Sequence, residues 1–569
     1  MDIQTHGISS TDSPTRNVWG NSTFLERVLL LCLSAIVVVS GYIFFSHLTT
    51  RLTLEQPSRG GSFAEGIVGT PRFINPLLAQ SQADQDLSIL LFSGLMRALP
   101  DGTLVPDLAR DFTVSEDGTQ YTFMLDRDAV FHDGTAITAD DVVFTITRAH
   151  DPALQSPQED VWTGIGVEAL NERTVTFTLS RAYASFLENL TIGILPAHLW
   201  ESTPPEEFSA HILNTEPVGS GPYKLASVKR NKSGIPTSYI LSAFNDSTRG
   251  RPHINEIIIR IFGNEKDVLS AFLDNDIDSL DGLDPIDAKT LTDNGALVSQ
   301  YDLPRVFGLF FNQNKNDTLT SISVRRALNA AIDKEVIVEE VLNGFGEALY
   351  SPLPTNLFAA STTNVTNHTE EARGILERAG FVLNEETGFF EDDDIPLSVH
   401  IATANSPELR TVADMVKDAW EKAGIETTVE LFDIGQLHHE VIRPRSYDVL
   451  LFGEVVGRDG DLYPFWHSSQ RNDPGLNVAL YASITADAIL EDIRATLDSA
   501  TREELYTSFV DEIESDVPAV FLYMPHLLYV APKNVSGMTI GVVHTGAERF
   551  LDVHEWYVRT ERVWKFLSH

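Results

Sequence analysis

Between Val28 and Phe45 the chain runs for 18 residues without a charge (VLLLCLSAIVVVSGYIFF). Few folded fates are open to such a run. Lipid offers the backbone no hydrogen-bond partner, so a segment like this crosses a bilayer only as a helix, which satisfies its own N–H and C=O groups. At 1.5 Å per residue it covers about 27 Å, and Ser46 to Leu48 can extend it. A secretory signal has a shorter apolar core followed by small residues. Here Tyr42, Phe44 and Phe45 carry the core onward. The expectation is an uncleaved transmembrane anchor over 28–48, a cytoplasmic tail over 1–27 and a linker over 49–62. Cys32 follows Leu30 and Leu31, where a lipidation signal would want small residues, and so reads as a residue of the helix. Arg16 and Arg27 balance Arg51 and Arg59, so charge does not orient the segment.

The rest of the 569 residues is globular in pattern. Its charge is unusual: 81 acidic residues against 41 basic, a formal −40. That field repels phosphate backbones and anionic headgroups, which argues against nucleic acid as a partner. A single cysteine excludes an intrachain disulfide. Three Asp-Gly-Thr triplets, at Asp101, Asp117 and Asp133, stand 16 residues apart. Asp-Gly favours the positive φ of tight hairpin turns, and an antiparallel meander is expected there. Thr138 with Asp141 three residues later starts a helix, whose stripe is Ala139, Val142, Val143 and Ile146. Val324, Ala327, Leu328, Ala331 and Ile332 mark a second helix, with Arg325 and Arg326 assigned to its wet face. A helix over 411–423 stops at Gly424, and strands are expected over 429–432, 447–452 and 519–530. Strands alternating with helices indicate α/β architecture.

Enzyme signatures are missing from the sequence. It has no G-x-S-x-G, H-E-x-x-H, GK[ST] loop or G-x-G-x-x-G. His438 and His439 are adjacent and point to different faces, a poor arrangement for one ion. The acidic run Glu391 to Asp394 lacks the glycine and alternating oxygens of a calcium loop. No catalytic residue, cofactor or metal is expected.

Five blocks in order carry a family resemblance. They are Asn75-Pro76-Leu77-Leu78 with LFSGLMR (91–97), Phe131 to Ala149, Gly219-Ser220-Gly221-Pro222-Tyr223, Phe311-Asn312 with Val324 to Asp333, and LDVHEWYV (551–558). Together they resemble the family 5 extracytoplasmic solute-binding proteins that feed peptide ABC importers. The resemblance implies an α/β, two-lobed type II periplasmic binding fold of cluster C. Lobe I would comprise 63–95, 214–305 and 520–569, an extra domain 96–213, and lobe II 306–519. It further implies a monomeric receptor that captures a peptide between the lobes by hinged closure and serves permease and ATPase subunits, its body outside the membrane. Another solute, such as an oligosaccharide or a metal chelate, and a sensory or structural envelope role are the alternatives.

Carried over by the same resemblance, the loop after the opening Asn-Pro places Gln80, Ser81 and Gln82 at the ligand. A second segment, Gly453 to Trp466, is where peptide-specific members keep an aspartate for the ligand's α-amino group and a tryptophan upstream. This sequence departs from that pattern. Glu454 stands near the tryptophan's place, and Arg458 or Asp459 near the aspartate's. Asp459 or Glu454 could pair with an ammonium group, whereas Arg458 turned into the cleft would suit an anionic ligand or a C-terminal carboxylate. Asp459 and Asp461 could equally do no more than shape a turn. Tyr523 matches a cleft aromatic, and Phe465 and Trp466 are wall or core.

Overall fold

The computed structural model describes residues 24–354, 369–458 and 460–565. The chain divides into two compact units, 1–58 with 559–569, and 59–558. In the first, helix α1 (Phe24–Leu52) runs into a strand, Thr53–Ser58, that pairs antiparallel with Arg559–Trp564. Every described side chain from Val28 to Phe44 is exposed. Among the described residues no helix is long and apolar enough to cross a membrane, so the anchor expected over 28–48 is not established there.

The second unit is built on one 12-stranded sheet. In chain order its strands are β1 (Ser62–Val68), β2 (Tyr223–Arg230), β3 (Pro236–Ala243), β4 (Glu256–Phe262), β5 (Ser279–Asp281) and β6 (Val298–Asp302). They continue with β7 (Arg305–Phe311), β8 (Gly346–Ala348), β9 (Ser398–Ala404), β10 (Glu426–Phe432), β11 (Val449–Val455) and β12 (Ala519–Val530). The spatial order is β10-β9-β11-β7-β12-β5-β1-β4-β3-β2, with β6 and β8 also on β12. β12 belongs to both halves. Its start pairs with β7 (Phe310 with Ala519, Phe307 with Tyr523) and its end with β6 (Asp302 with His526, Val298 with Val530). Pro525 falls between those two ladders and stands opposite Gly346 of β8. The strand is buried along almost its whole length, which is why it reads as a continuous apolar run.

The remaining helices needed here are α2 (Gln82–Leu91), α3 (Ala139–Ala149), α4 (Ile322–Ala330), α5 (Lys334–Leu342), α6 (Pro407–Ala423), α7 (Ile484–Ala495) and α8 (Ser499–Asp516). α3 starts as the sequence indicates: the Asp141 carboxylate accepts from the Thr138 N–H at 2.8 Å and its hydroxyl at 3.0 Å. α6 ends at Gly424, whose φ of 92° suits glycine.

Two expectations need correction. The Asp-Gly turns form, but they do not build one meander. The first joins a separate two-stranded sheet (Met96–Ala98 with Leu104–Pro106), the second joins Ala109–Val114 to Gln120–Leu125 in a four-stranded sheet, and the third closes a single bridge between Val130 and Ala136. Arg325 is buried, not wet. Its guanidinium donates to the carbonyls of Leu319, Thr320, Asp516 and Val517. It thereby satisfies the carbonyl end of α8, which a helical wheel of α4 cannot show.

Candidate functional site

The segments that set the site converge on α2. Its N-terminus is fixed by Ser81, whose hydroxyl donates to Asp84 Oδ2 at 2.6 Å, while Asp84 Oδ1 accepts from the N–H groups of Arg72 and Phe73 at 2.7 and 2.8 Å. Its C-terminus is gripped by two blocks that lie far apart in sequence. Gly221 N–H donates to the Leu91 carbonyl at 2.9 Å, and a Cβ at Gly221 would stand 2.6 Å from the Leu91 carbonyl carbon. A Cβ at Gly219 would meet the Leu91 carbonyl oxygen itself. His132 completes the grip: Nδ1 accepts from Gly219 N–H at 3.2 Å and Nε2 donates to the Gly221 carbonyl at 3.1 Å. The ring is therefore the neutral Nε2–H tautomer, and burial holds its pKa down at about 4.

Held in this way, α2 forms one wall of a cavity of about 370 Å³, contributing Gln85, Ser88 and Ile89. Glu188 and Asn189 contribute from the region between the four-stranded sheet and β2, and Thr545 and Glu548 from the C-terminal segment. Arg458, in the turn after β11, reaches the cavity from the opposite half of the sheet. Its Nη2 donates to Glu548 Oε2 at 2.6 Å, and its backbone N–H to Glu188 Oε1 at 3.2 Å. Burial opposes ionisation of Glu548, but His544 and Arg458 outweigh it and hold the carboxyl below its usual range. A charge-assisted pair of this kind fixes position as well as charge.

Other residues singled out in the sequence take different places. Gln80 is exposed, and so is Gln82, whose Nε2 donates to Asp86 Oδ1 at 2.7 Å. Glu454, near the end of β11, is 5% exposed, and Oε1 has no hydrogen-bond partner. Burial alone pushes its carboxyl well above the usual range. Tyr523 is fully buried, stacked on Phe307 with ring centres 4.9 Å apart, and its hydroxyl donates to Glu408 Oε1 at 2.7 Å. Asp461 shapes its turn by accepting from Tyr463 N–H at 3.1 Å, and also pairs with Arg494 of α7 at 2.6 Å. Trp466 is core. Asp459 lies outside the described residues. The structure thus brings Arg458 to the wall that α2 forms, while Ser81 and Tyr523 spend their hydroxyls on neighbouring carboxylates.

A cluster of charges, buried but for the edge of Asp281, lies against α2. Arg549 donates to Glu65 Oε1 at 3.0 Å and to both oxygens of Asp86 at 2.8 Å, and stands 2.9 Å from Asp281 Oδ2. It ties β1, α2 and β5 to the C-terminal turn. Sequence reasoning missed it because the four residues share no spacing.

Comparison with known proteins agrees with this architecture. The profile of the bacterial extracellular solute-binding proteins, family 5 Middle, matches residues 103–473. The oligopeptide-binding protein AppA of Bacillus subtilis (strain 168) is 26% identical over 529 residues, covering 90% of this chain and 96% of that protein. The dipeptide-binding protein of Escherichia coli (strain K12) is 24% identical over 508 residues, covering 83% and 91%. Among solved structures, NikZ from Campylobacter jejuni in complex with Ni(L-His) superposes with a TM-score of 0.71 at 27% identity, covering 87% of this chain and 99% of that one. Proteins of this kind bind solutes for transport and are not enzymes. The chain belongs to the bacterial extracellular solute-binding proteins of family 5.

Proposed function

We propose that this chain is the membrane-anchored, extracytoplasmic receptor of an ABC importer for peptides. The observation that carries the reading is the cavity between α2 and Arg458, which draws its walls from both halves of a sheet joined through β12. Two relatives that match along most of the chain are named for oligopeptides and dipeptides. In this reading lobe I and lobe II close on a peptide about β12 and the short β6–β7 connection, and the closed population is what permease and ATPase subunits recognise. Glu454 receives the ligand's α-ammonium group, since a buried carboxyl without a cation gains most from one. Arg458 exchanges Glu548 for the ligand's carboxylate. The anchor rests on the uncharged run Val28–Phe45, whose described side chains, Val28 to Phe44, are all exposed, which a water-soluble surface rarely allows.

Calorimetric titration of the full chain with short peptides tests this. Removing one charge-assisted hydrogen bond costs about 1.5–3 kcal/mol, so N-acetylation of the peptide should weaken binding about 10- to 150-fold. Glu454→Gln should do the same, and the two together no more than either alone. Equal affinity for acetylated and free peptides would remove Glu454 from the site. The arginine in the cavity favours a second reading, an anionic solute or a chelate. Binding of such solutes without peptide binding would establish it.

A further inference from the structure

The first residue of α5 is a lysine placed against both charge and solvation. Lys334 follows the cap residue Asp333, whose carboxylate accepts from Val336 N–H at 3.1 Å. The first turn of a helix carries partial positive charge, which disfavours a cation there. Solvent does not compensate, because Lys334 is only 3% exposed. Lysine is almost never buried to that degree without a partner. Its ammonium group lies 4.5 Å from the centre of the Tyr350 ring, and the Tyr350 hydroxyl in turn donates to Glu335. Among the described residues no hydrogen-bond acceptor reaches the ammonium group and no carboxylate stands within ion-pair distance of it. Burial pulls its pKa down to about 7, with Glu335 and Glu514 opposing from further off.

Lys334 lines a cavity of about 270 Å³, and residues of α4, α8, the helix Thr369–Ala379 and the start of β12 make up most of the remaining wall. It shares no lining residue with the cavity at Arg458. Its volume falls below the range of about 300–1,000 Å³ that holds drug-sized ligands, so it suits a small molecule and not a peptide chain. Much of the lining is apolar, from Ile375, Ile513, Val517 and Phe521. Four charged residues complete it: Arg326 and Lys334 are basic, Glu371 and Glu514 acidic. Burial and Asp511 raise the carboxyl of Glu514, so this group, like Lys334, gains from an opposite charge.

We propose that this cavity binds a small zwitterion with an apolar side chain, the chemistry of a free aliphatic α-amino acid. The ligand's carboxylate pairs with Lys334 and Arg326, its ammonium group with Glu514 and Glu371, and its side chain lies against Ile375, Ile513 and Phe521. A simple anion would face both carboxylates of the wall, and a simple amine both basic groups. A molecule that carries both charges leaves none of the four opposite its like. It also supplies the counter-charge that the burial of Lys334 makes most valuable. Phe521 belongs to β12, so an occupant packs directly on the strand shared by the two halves of the sheet. The site stands apart from the peptide reading and does not depend on it.

Calorimetric titration of the full chain, dialysed exhaustively beforehand, tests this with three probes. L-leucine carries both charges, 4-methylpentanoate lacks the ammonium group and 3-methylbutylamine lacks the carboxylate. Each analogue should bind the parent about 10- to 150-fold more weakly than leucine. Lys334→Met keeps the length of the buried chain and removes its charge. It should weaken leucine by a similar factor and leave 3-methylbutylamine, which has no carboxylate to lose, no weaker. Glu371→Gln changes an exposed residue and so preserves the fold; it should weaken leucine and leave 4-methylpentanoate no weaker. A parent that binds no leucine at millimolar concentration overturns the proposal, and so does equal affinity for leucine and both analogues, a result that needs no variant. Unchanged leucine affinity in Lys334→Met overturns it as well, and its loss in Arg458→Gln alone would move leucine to the other cavity.

Discussion

Replacing Arg549 by methionine takes one guanidinium away from three buried carboxyls, those of Glu65, Asp86 and Asp281. Arg549, Glu65 and Asp86 have no exposed side-chain surface, so water cannot take over the lost role. Breaking a buried ion pair from one side typically costs about 3–5 kcal/mol, because the stranded charge remains desolvated. For a body of roughly 500 residues, an unfolding entropy near 2.1 cal/mol/K per residue converts this into a fall in Tm of about 3–5 °C. The cost should depend on pH. Burial already raises the carboxyls of Glu65 and Asp281, and Arg549 is what draws them back down. A carboxyl raised in the folded state keeps a proton that the unfolded chain has released. Its contribution to stability is therefore fully present below the ordinary carboxylate range and is lost as pH rises toward the folded value. Without Arg549 both groups rise further, so the variant should lose most at pH 8 and distinctly less at pH 5. Differential scanning calorimetry of parent and variant at both values measures this. An equal fall at the two pH values, or a variant that melts higher at pH 8, would refute the electrostatic account and leave only packing.

Three further outcomes follow from the geometry. Gly219→Ala drives a methyl into the Leu91 carbonyl oxygen, where backbone must move, and should cost at least about 3 kcal/mol or abolish soluble expression, as read by thermal melting. His132 is depressed from 6.5 to about 4, so it contributes stability above pH 6.5 that is lost as pH falls toward 4, about 3 kcal/mol in all; His132→Gln should show a shallower acid limb in the stability profile. With a formal −40, moderate salt should raise the melting temperature by screening repulsion between surface carboxylates, and a fall would show that exposed ion pairs matter more than that repulsion.

Strands and helices with a strong periodic or apolar signal were legible in the sequence. Ala519–Val530 was read end to end because a strand buried on both faces needs no partner to announce itself. The Thr138–Asp141 cap was legible because its chemistry is local. The same rule applies to Ser81 and Asp84, which cap α2 as a box, yet Ser81 was assigned to the ligand by likeness to other chains. What could not be read depends on distant partners. Arg325 looks solvated on the wheel of α4 until the carbonyl end of α8 arrives about 190 residues later.

The excess of acid gives the arginines a particular importance. Four of the buried or half-buried ones sit at joints between segments. Arg549 ties β1, α2 and β5 to the C-terminal turn, Arg249 holds Asp107 at 2.7 Å, and Arg494 holds Asp461 while its backbone carbonyl accepts from Ala184 N–H at 2.9 Å. Arg458 joins the turn after β11 to Glu548, across the cavity. Joints made of arginine and carboxylate are directional and, once desolvated, little screened by salt. They differ in what a ligand could do to them. The pairs of Arg549 are enclosed, and opening them would strand charge, whereas Arg249 lines the same cavity as Arg458. The Arg458–Glu548 pair borders a cavity, so an incoming carboxylate can compete for Arg458 while His544 still holds Glu548. In the function proposed above, that makes it a joint through which a bound ligand reaches the relation between the two halves of the sheet.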